Sequence, residues 1–183
     1  MYNKRVALVG IALASLVAGG IALAAQDKYT LKVPGGLAFA EFKGFESWQT
    51  IAVSQSGNMI EVILGNPTII KAYLAGVPGN NKDFPNGARM AKIHWTAKKS
   101  DEPGNPLVPD KLHDVDLMVK DTHRFADSGG WGYAVFEFDA AKNEYRPGNL
   151  SDSPPQANDA KCGFACHTSV ADRDYVFTSY GKR

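Results

Sequence analysis

The stretch Arg89-Met90-Ala91-Lys92-Ile93-His94-Trp95 alternates along its length, and its reading decides what kind of fold the chain can take. Successive side chains of a strand point to opposite faces, so Met90, Lys92 and His94 share one face while Ala91, Ile93 and Trp95 share the other. The second set predicts a face packed on a core. The first either meets solvent or lines a cavity, and in a cavity Lys92 is a buried amine whose neutral, nucleophilic form is favoured.

Further strands flank this one. His113 to Lys120 places Val115, Leu117 and Val119 on one face against Asp114, Asp116 and Met118 on the other. Trp131 to Asp139 alternates Trp131, Tyr133 and Val135 with Gly132, Ala134 and Phe136, and the small residues of that second set leave room for a flat ligand. Upstream, Thr50 to Ser54 and Met59 to Leu64 read as strands joined by Gln55-Ser56-Gly57-Asn58. Asn66 as N-cap, Pro67 at the first helical position and Gly76 just past the end bracket a helix over Pro67 to Ala75. Its Ile69, Ile70, Tyr73 and Leu74 give the spacing of a buried stripe. Phe42, Phe45 and Trp48 recur at three-residue spacing, which predicts one face of a short helix in the core. Asp121 caps a further short helix through Phe125, stopped by Gly129 or Gly130. The connections are rich in turn formers: Val77 to Gly87, an exposed proline-rich excursion from Lys98 to Asp110, and a polar loop from Lys142 to Lys161.

That last loop leads into Cys162-Gly163-Phe164-Ala165-Cys166-His167, which holds the only two cysteines of 183 residues. The arrangement is close to the c-type haem attachment signature, in which two thiols add to haem vinyl groups and the adjacent imidazole ligates iron. Here three residues separate the cysteines rather than two. A Cys162–Cys166 disulfide and a small metal site are the other readings of the same pair, although a disulfide gives His167 no reason to follow Cys166. His94, His113 and His123 read as surface or packing residues.

At the other end, Lys4 and Arg5 precede an apolar run from Val6 to Leu23, and Ala22-Leu23-Ala24 supplies a cleavage site. The run approaches the length of a retained membrane anchor, but its Gly and Ala content and the cleavage motif favour removal. Residues 1–24 are therefore expected to be a cleaved signal peptide, leaving 25–183 as a single domain with a sizeable core in an oxidising compartment. Losing those two cations takes the formal charge from +1 to about −1. A nearly neutral surface offers no basic stripe for nucleic acid, and the mature chain has no amphipathic or polybasic membrane-binding stretch.

Six blocks in order carry a resemblance: Gly44 and Trp48 as G-x-x-x-W, Glu61 to Asn66 as E-V-I-L-G-N, Met90 to Trp95, Leu117 to Asp121 as L-M-V-K-D, Gly129 to Gly132 as G-G-W-G, and Cys166 to Thr178 as C-H-T-S-V-x-x-x-D-Y-V-F-T. Together they resemble the cytochrome P-460 family across nearly the whole mature chain. The resemblance implies an α+β fold, mainly an antiparallel β-sheet with a few short helices and c-type haem bound against the sheet, in a periplasmic homodimer. It implies Cys162 and Cys166 as thioether anchors, His167 as proximal ligand, and Lys92 as the amine that the family's enzymes cross-link to a haem meso carbon. Asp116 stands where those enzymes place a distal carboxylate that moves protons. The implied activity is oxidation of hydroxylamine or a related small nitrogen compound at a five-coordinate iron, with electrons leaving to a redox partner such as a soluble cytochrome. The related cytochromes c′-beta share the fold and bind small gases such as NO without turnover. Two features depart from the enzymes: the longer Cys162–Cys166 spacing, and an aspartate at 116 in place of a glutamate.

Intact mass separates the haem readings from the disulfide one. Exported protein made in a haem-attaching host is expected to carry the mass of haem, whereas colourless protein with Cys162 bonded to Cys166 would exclude both haem readings.

Overall fold

The computed structural model describes residues 25–33, 35–148 and 158–183, with side chains from Gly163 onward in the last segment. The expected signal peptide lies outside the described residues, and none of their helices is long and apolar enough to cross a membrane.

Six strands form one antiparallel meander in chain order: β1 Gln49–Ser56, β2 Met59–Gly65, β3 Arg89–Lys99, β4 Leu107–Lys120, β5 Trp131–Asp139 and β6 Glu144–Pro147. The expected α+β class is what the chain adopts, with α1 over Pro67–Leu74 and α2 over Asn158–His167. Both faces of the sheet are covered. On one, Ala91, Val115, Leu117, Ala134 and Phe136 pack against Leu37, Phe39, Phe42 and Phe45 of the N-terminal segment. On the other, Met90, Met118, Trp131 and Tyr133 pack with α1 and with Val176 of the C-terminal tail. The three-residue aromatic spacing forms two short 3-10 turns, Phe39–Phe42 and Phe45–Ser47, and Trp48 packs on Phe42 in that first core.

The strands are longer and the connections shorter than the sequence suggests. β3 and β4 extend through much of the expected excursion, because edge-on pairing of Ala97 with Pro109 and Lys99 with Leu107 satisfies backbone groups that the prolines alone would leave to water. Part of the expected polar loop is β6, paired to β5, and its end is the start of α2; residues 149–157 lie outside the described residues. Asp121 caps only a turn, followed by a 3-10 turn at Ala126–Ser128. The small residues of β5 need correcting in their role as well. A Cβ on Gly132 would come within 2.4 Å of Phe125 and 2.9 Å of Leu37, so this face accepts core side chains rather than a flat ligand.

Asn66 joins helix to sheet. Its Oδ1 accepts from Ile69 N–H at 3.1 Å, capping α1, and from Arg89 N–H at 3.1 Å, while its Nδ2 donates to Gly87 C=O at 2.8 Å. Asn66 is 6% exposed, so water cannot replace these partners. Asn66→Ala is expected to destabilise the folded protein by about 2–4 kcal/mol, adding lost cap to orphaned backbone groups. Asn66→Asp keeps the acceptor but sets a buried carboxylate oxygen against the Gly87 carbonyl and should destabilise as well; urea midpoints at constant slope measure both.

Candidate haem pocket

Period two and antiparallel register assemble the sheet wall of the site. Lys92 of β3 lies opposite Ile63 of β2 and Asp116 of β4, and Asp116 lies opposite Val135 of β5. All four side chains therefore share one face. This is the face away from the N-terminal core, and α2 with the C-terminal tail closes over it. Between them lies a cavity of about 680 Å³ lined by Lys92, Asp116, Met118 and Tyr133 from the sheet and by Cys166 and His167 from α2. Such a volume is in the range that holds cofactors.

The alternation in β3 left Lys92 either solvated or in a cavity; the fold puts it in the cavity wall, held by an ion pair. Its Nζ donates to Glu61 Oε2 at 2.9 Å, and the same oxygen accepts from Ser54 Oγ at 2.8 Å. Burial pulls the Glu61 carboxyl upward, but these hydrogen bonds win and hold it below the ordinary range. Beside it, His94 is buried, the packing alternative of its sequence reading, and its Nδ1 bonds Asp114 Oδ1. Asp114 Oδ2 is 2.8 Å from His113 Nδ1, and Asp116 Oδ2 is 3.9 Å from His94 Nδ1. Burial opposes a charge on His94, yet the two aspartates raise its pKa. Asp116 faces the cavity with His94 as its more distant neighbour, and burial, reinforced by the neighbouring carboxylates, pushes its carboxyl up to about 6 against the pull of His94 and Lys92. The side chain keeps 41% exposure through the cavity mouth, so the proton it holds is exchangeable.

On the helix side, positions 162 and 166 stand one turn apart, as residues i and i+4 of a helix share a face. Cys166 carries a free, exposed thiol at the cavity. The next residue, His167, has its Nδ1 2.5 Å from the Tyr175 carbonyl. A carbonyl only accepts, so Nδ1 carries the proton and Nε2 carries the lone pair that can ligate a metal. Burial also lowers the pKa of His167, which favours the neutral ligand form. Phe177 and Tyr133 flank the ring at 4.8 and 5.1 Å between centroids. The donor set suits a covalently attached haem: a neutral imidazole with a fixed tautomer, a thiol beside it, a second cysteine one turn earlier, and an apolar cavity in front.

Lys92, Asp116, Cys166 and His167 thus line one cavity, and the backbone of Cys162 lies one helical turn before Cys166. Sequence reading did not single out Glu61 or the His94–Asp114 pair. Glu61 sat inside a quoted block, but its reach to Lys92 depends on cross-strand register.

Gly163 lets α2 approach the sheet. A Cβ there would stand 3.0 Å from Tyr133 Cγ. Gly163→Val is expected to lift α2 from β5 and lower the fraction of purified chain carrying haem, read from absorbance per polypeptide, while Ala165→Val on the exposed side leaves it unchanged.

No curated protein matches the chain. The family model described as Cytochrome P460 matches residues 42–178, which contain the sheet, α1, α2 and the His167 turn. The chain therefore belongs to the cytochrome P460 family and is a c-type haem protein of that family.

Proposed function

We propose that this protein is a periplasmic haem oxidoreductase that oxidises hydroxylamine or a related small nitrogen compound. The observation that supports this reading is the meeting of Lys92 and Asp116 with Cys166 and His167 around one cavity. Cys162 and Cys166 would anchor the haem, His167 Nε2 would ligate its iron, and Lys92 is the amine that would be available for a cross-link. Bound haem supplies an iron site for the substrate nitrogen and a route for electrons to an acceptor such as a soluble cytochrome.

The remaining steps belong to side chains. Oxidising an N–H compound releases protons, and Asp116 takes one at its carboxylate once ionised. His94 Nδ1, 3.9 Å from Asp116 Oδ2, carries the proton it donates to Asp114, so the His94–Asp114 pair stands beside Asp116 as a fixed polar neighbour. Glu61 holds the Lys92 ammonium in place and is the group positioned to take its proton when the amine reacts. Met118, Ile63 and Tyr133 make much of the cavity wall apolar, which strengthens the interactions of these charges. On this reading the mature chain, 25–183, works in the periplasm as a homodimer after loss of residues 1–24.

A second reading, a gas-binding cytochrome of the c′-beta type, draws support from the Lys92–Glu61 ion pair, since a lysine kept as ammonium is not a nucleophile.

The optical spectrum of reduced, haem-loaded protein tests between them. A strongly red-shifted Soret band that Lys92→Ala abolishes is expected for the enzyme; an ordinary c-type spectrum, NO binding and no turnover would establish the gas-binding reading instead. Hydroxylamine turnover should also rise as pH passes about 6, where Asp116 ionises. Asp116→Asn should lower the rate by about 10²–10⁴-fold, the range for loss of a general base, and flatten that profile.

A further inference from the structure

We infer that Lys120 and Asp174 form a buried positioning pair for His167, holding the backbone turn whose carbonyl orients the imidazole and so tuning the iron that His167 ligates. The inference rests on His167 being the proximal ligand, as proposed above.

The carbonyl that accepts from His167 Nδ1 belongs to Tyr175, and the turn that presents it is unusual. Asp174 and Tyr175 are consecutive non-glycine residues with φ of +49° and +62°. Left-handed backbone costs energy for side chains of this kind and persists only where the surroundings over-determine it. Here they do. Asp174 Oδ1 accepts from Lys120 Nζ at 2.5 Å, its Oδ2 accepts from Phe84 N–H at 2.8 Å, and its backbone carbonyl accepts from Trp131 Nε1–H at 2.9 Å. Lys120 also donates to the Gly129 carbonyl at 3.0 Å and lies over the Trp131 ring at 5.2 Å. Gly129 in turn leaves space for the Tyr175 ring, whose Cε2 would be 2.3 Å from a Cβ at that position.

Stability alone does not account for such a pair. The side chains of Lys120 and Asp174 are 3% and 4% exposed, and burial raises the Asp174 carboxyl despite its partner. At that depth desolvation consumes most of the Coulomb attraction, and apolar residues of similar volume commonly serve as well or better. What the pair adds is direction, because it fixes one backbone conformation from two opposed elements, β4 and the tail. Three of the blocks that carried the family resemblance, L-M-V-K-D, G-G-W-G and D-Y-V-F-T, meet at this point and contribute Lys120, Gly129 with Trp131, and Asp174 with Tyr175. Apart from the Tyr175 carbonyl, none of these residues has a role in the cavity chemistry described above. An imidazole whose Nδ1–H is held by a fixed acceptor is a stronger donor at Nε2, so slack in the turn weakens the bond to iron.

The test uses mature, haem-loaded protein. Asp174→Asn keeps the shape and tolerates left-handed backbone. The double variant Lys120→Met with Asp174→Asn removes both charges together and leaves no orphaned ion. Both are expected to fold and attach haem, with a lower iron–histidine stretching frequency in the ferrous resonance Raman spectrum and a higher reduction potential than the parent. Folded variants with parental frequency and potential would overturn the inference. So would loss of fold in both, because a pair serving only the turn should be replaceable by neutral groups. His167→Gly separates the two levels: it should abolish the iron–histidine band. Persistence of the band in that variant would remove the ligand assignment itself, whereas its loss there alongside unchanged pair variants would remove only the positioning role.

Discussion

The register between β3 and β4 is the constraint on which the rest of the structure depends. Pairing Lys92 with Asp116 and Ala91 with Leu117 sends one pair to the cavity and the next to the core. Because side chains alternate with period two, a slip of β4 by one residue against β3 would turn Asp114 and Asp116 among Phe39, Phe42 and Phe136 and Leu117 toward the haem face while Lys92 kept its place. Neither face tolerates that exchange. The aromatic core under the N-terminal segment thus specifies the chemical face without touching it, and the packing of one side decides the charge arrangement of the other.

That arrangement carries an excess of carboxylates. Glu61, Asp114 and Asp116 face Lys92 and His94, and the partners are distributed unevenly: Glu61 takes Lys92, Asp114 takes His94 with His113, and Asp116 is left to the cavity. Two carboxyls are consequently held below their ordinary range while the third is pushed above it. Like groups in unlike surroundings acquire different duties: the first two fix positions, and the third can exchange a proton near neutral pH. The same register that makes the wall therefore also selects which acid on it is free to react.

Across the cavity, helix geometry explains the spacing of the cysteines. Four residues advance an α-helix by slightly more than one turn, leaving the two positions only about 40° apart around the axis. Three intervening residues are thus compatible with two anchors on one helical face, provided that the segment is helical when it meets the haem. The helix ends at His167, beyond which the chain enters the Asp174–Tyr175 turn that returns a carbonyl to the imidazole. The attachment motif and its orienting acceptor are therefore parts of one local unit, braced against β4 and β5 by the buried charges behind it.

Much of this was legible in residues alone. The alternation in β3, β4 and β5 predicts two-faced strands, the Asn66-Pro67 start and Gly76 stop bracket α1, and Cys162, Cys166 and His167 lie close to the haem attachment signature while leaving a disulfide or a metal site open, since each is a short-range pattern with a local physical cause. What lay beyond reach depended on pairing between distant segments. The small residues of β5 point to the wrong side of the sheet for a ligand, because glycine makes room equally for a cofactor and for Phe125. Glu61 at the Lys92 amine, His94 at Asp114, and Lys120 at Asp174 are contacts made across strands or between β4 and the tail, and no periodicity encodes them. The sequence by itself determined the elements and the donor atoms; only the tertiary structure decided which charges are neighbours, because that is set by the register and packing of strands that are far apart along the chain.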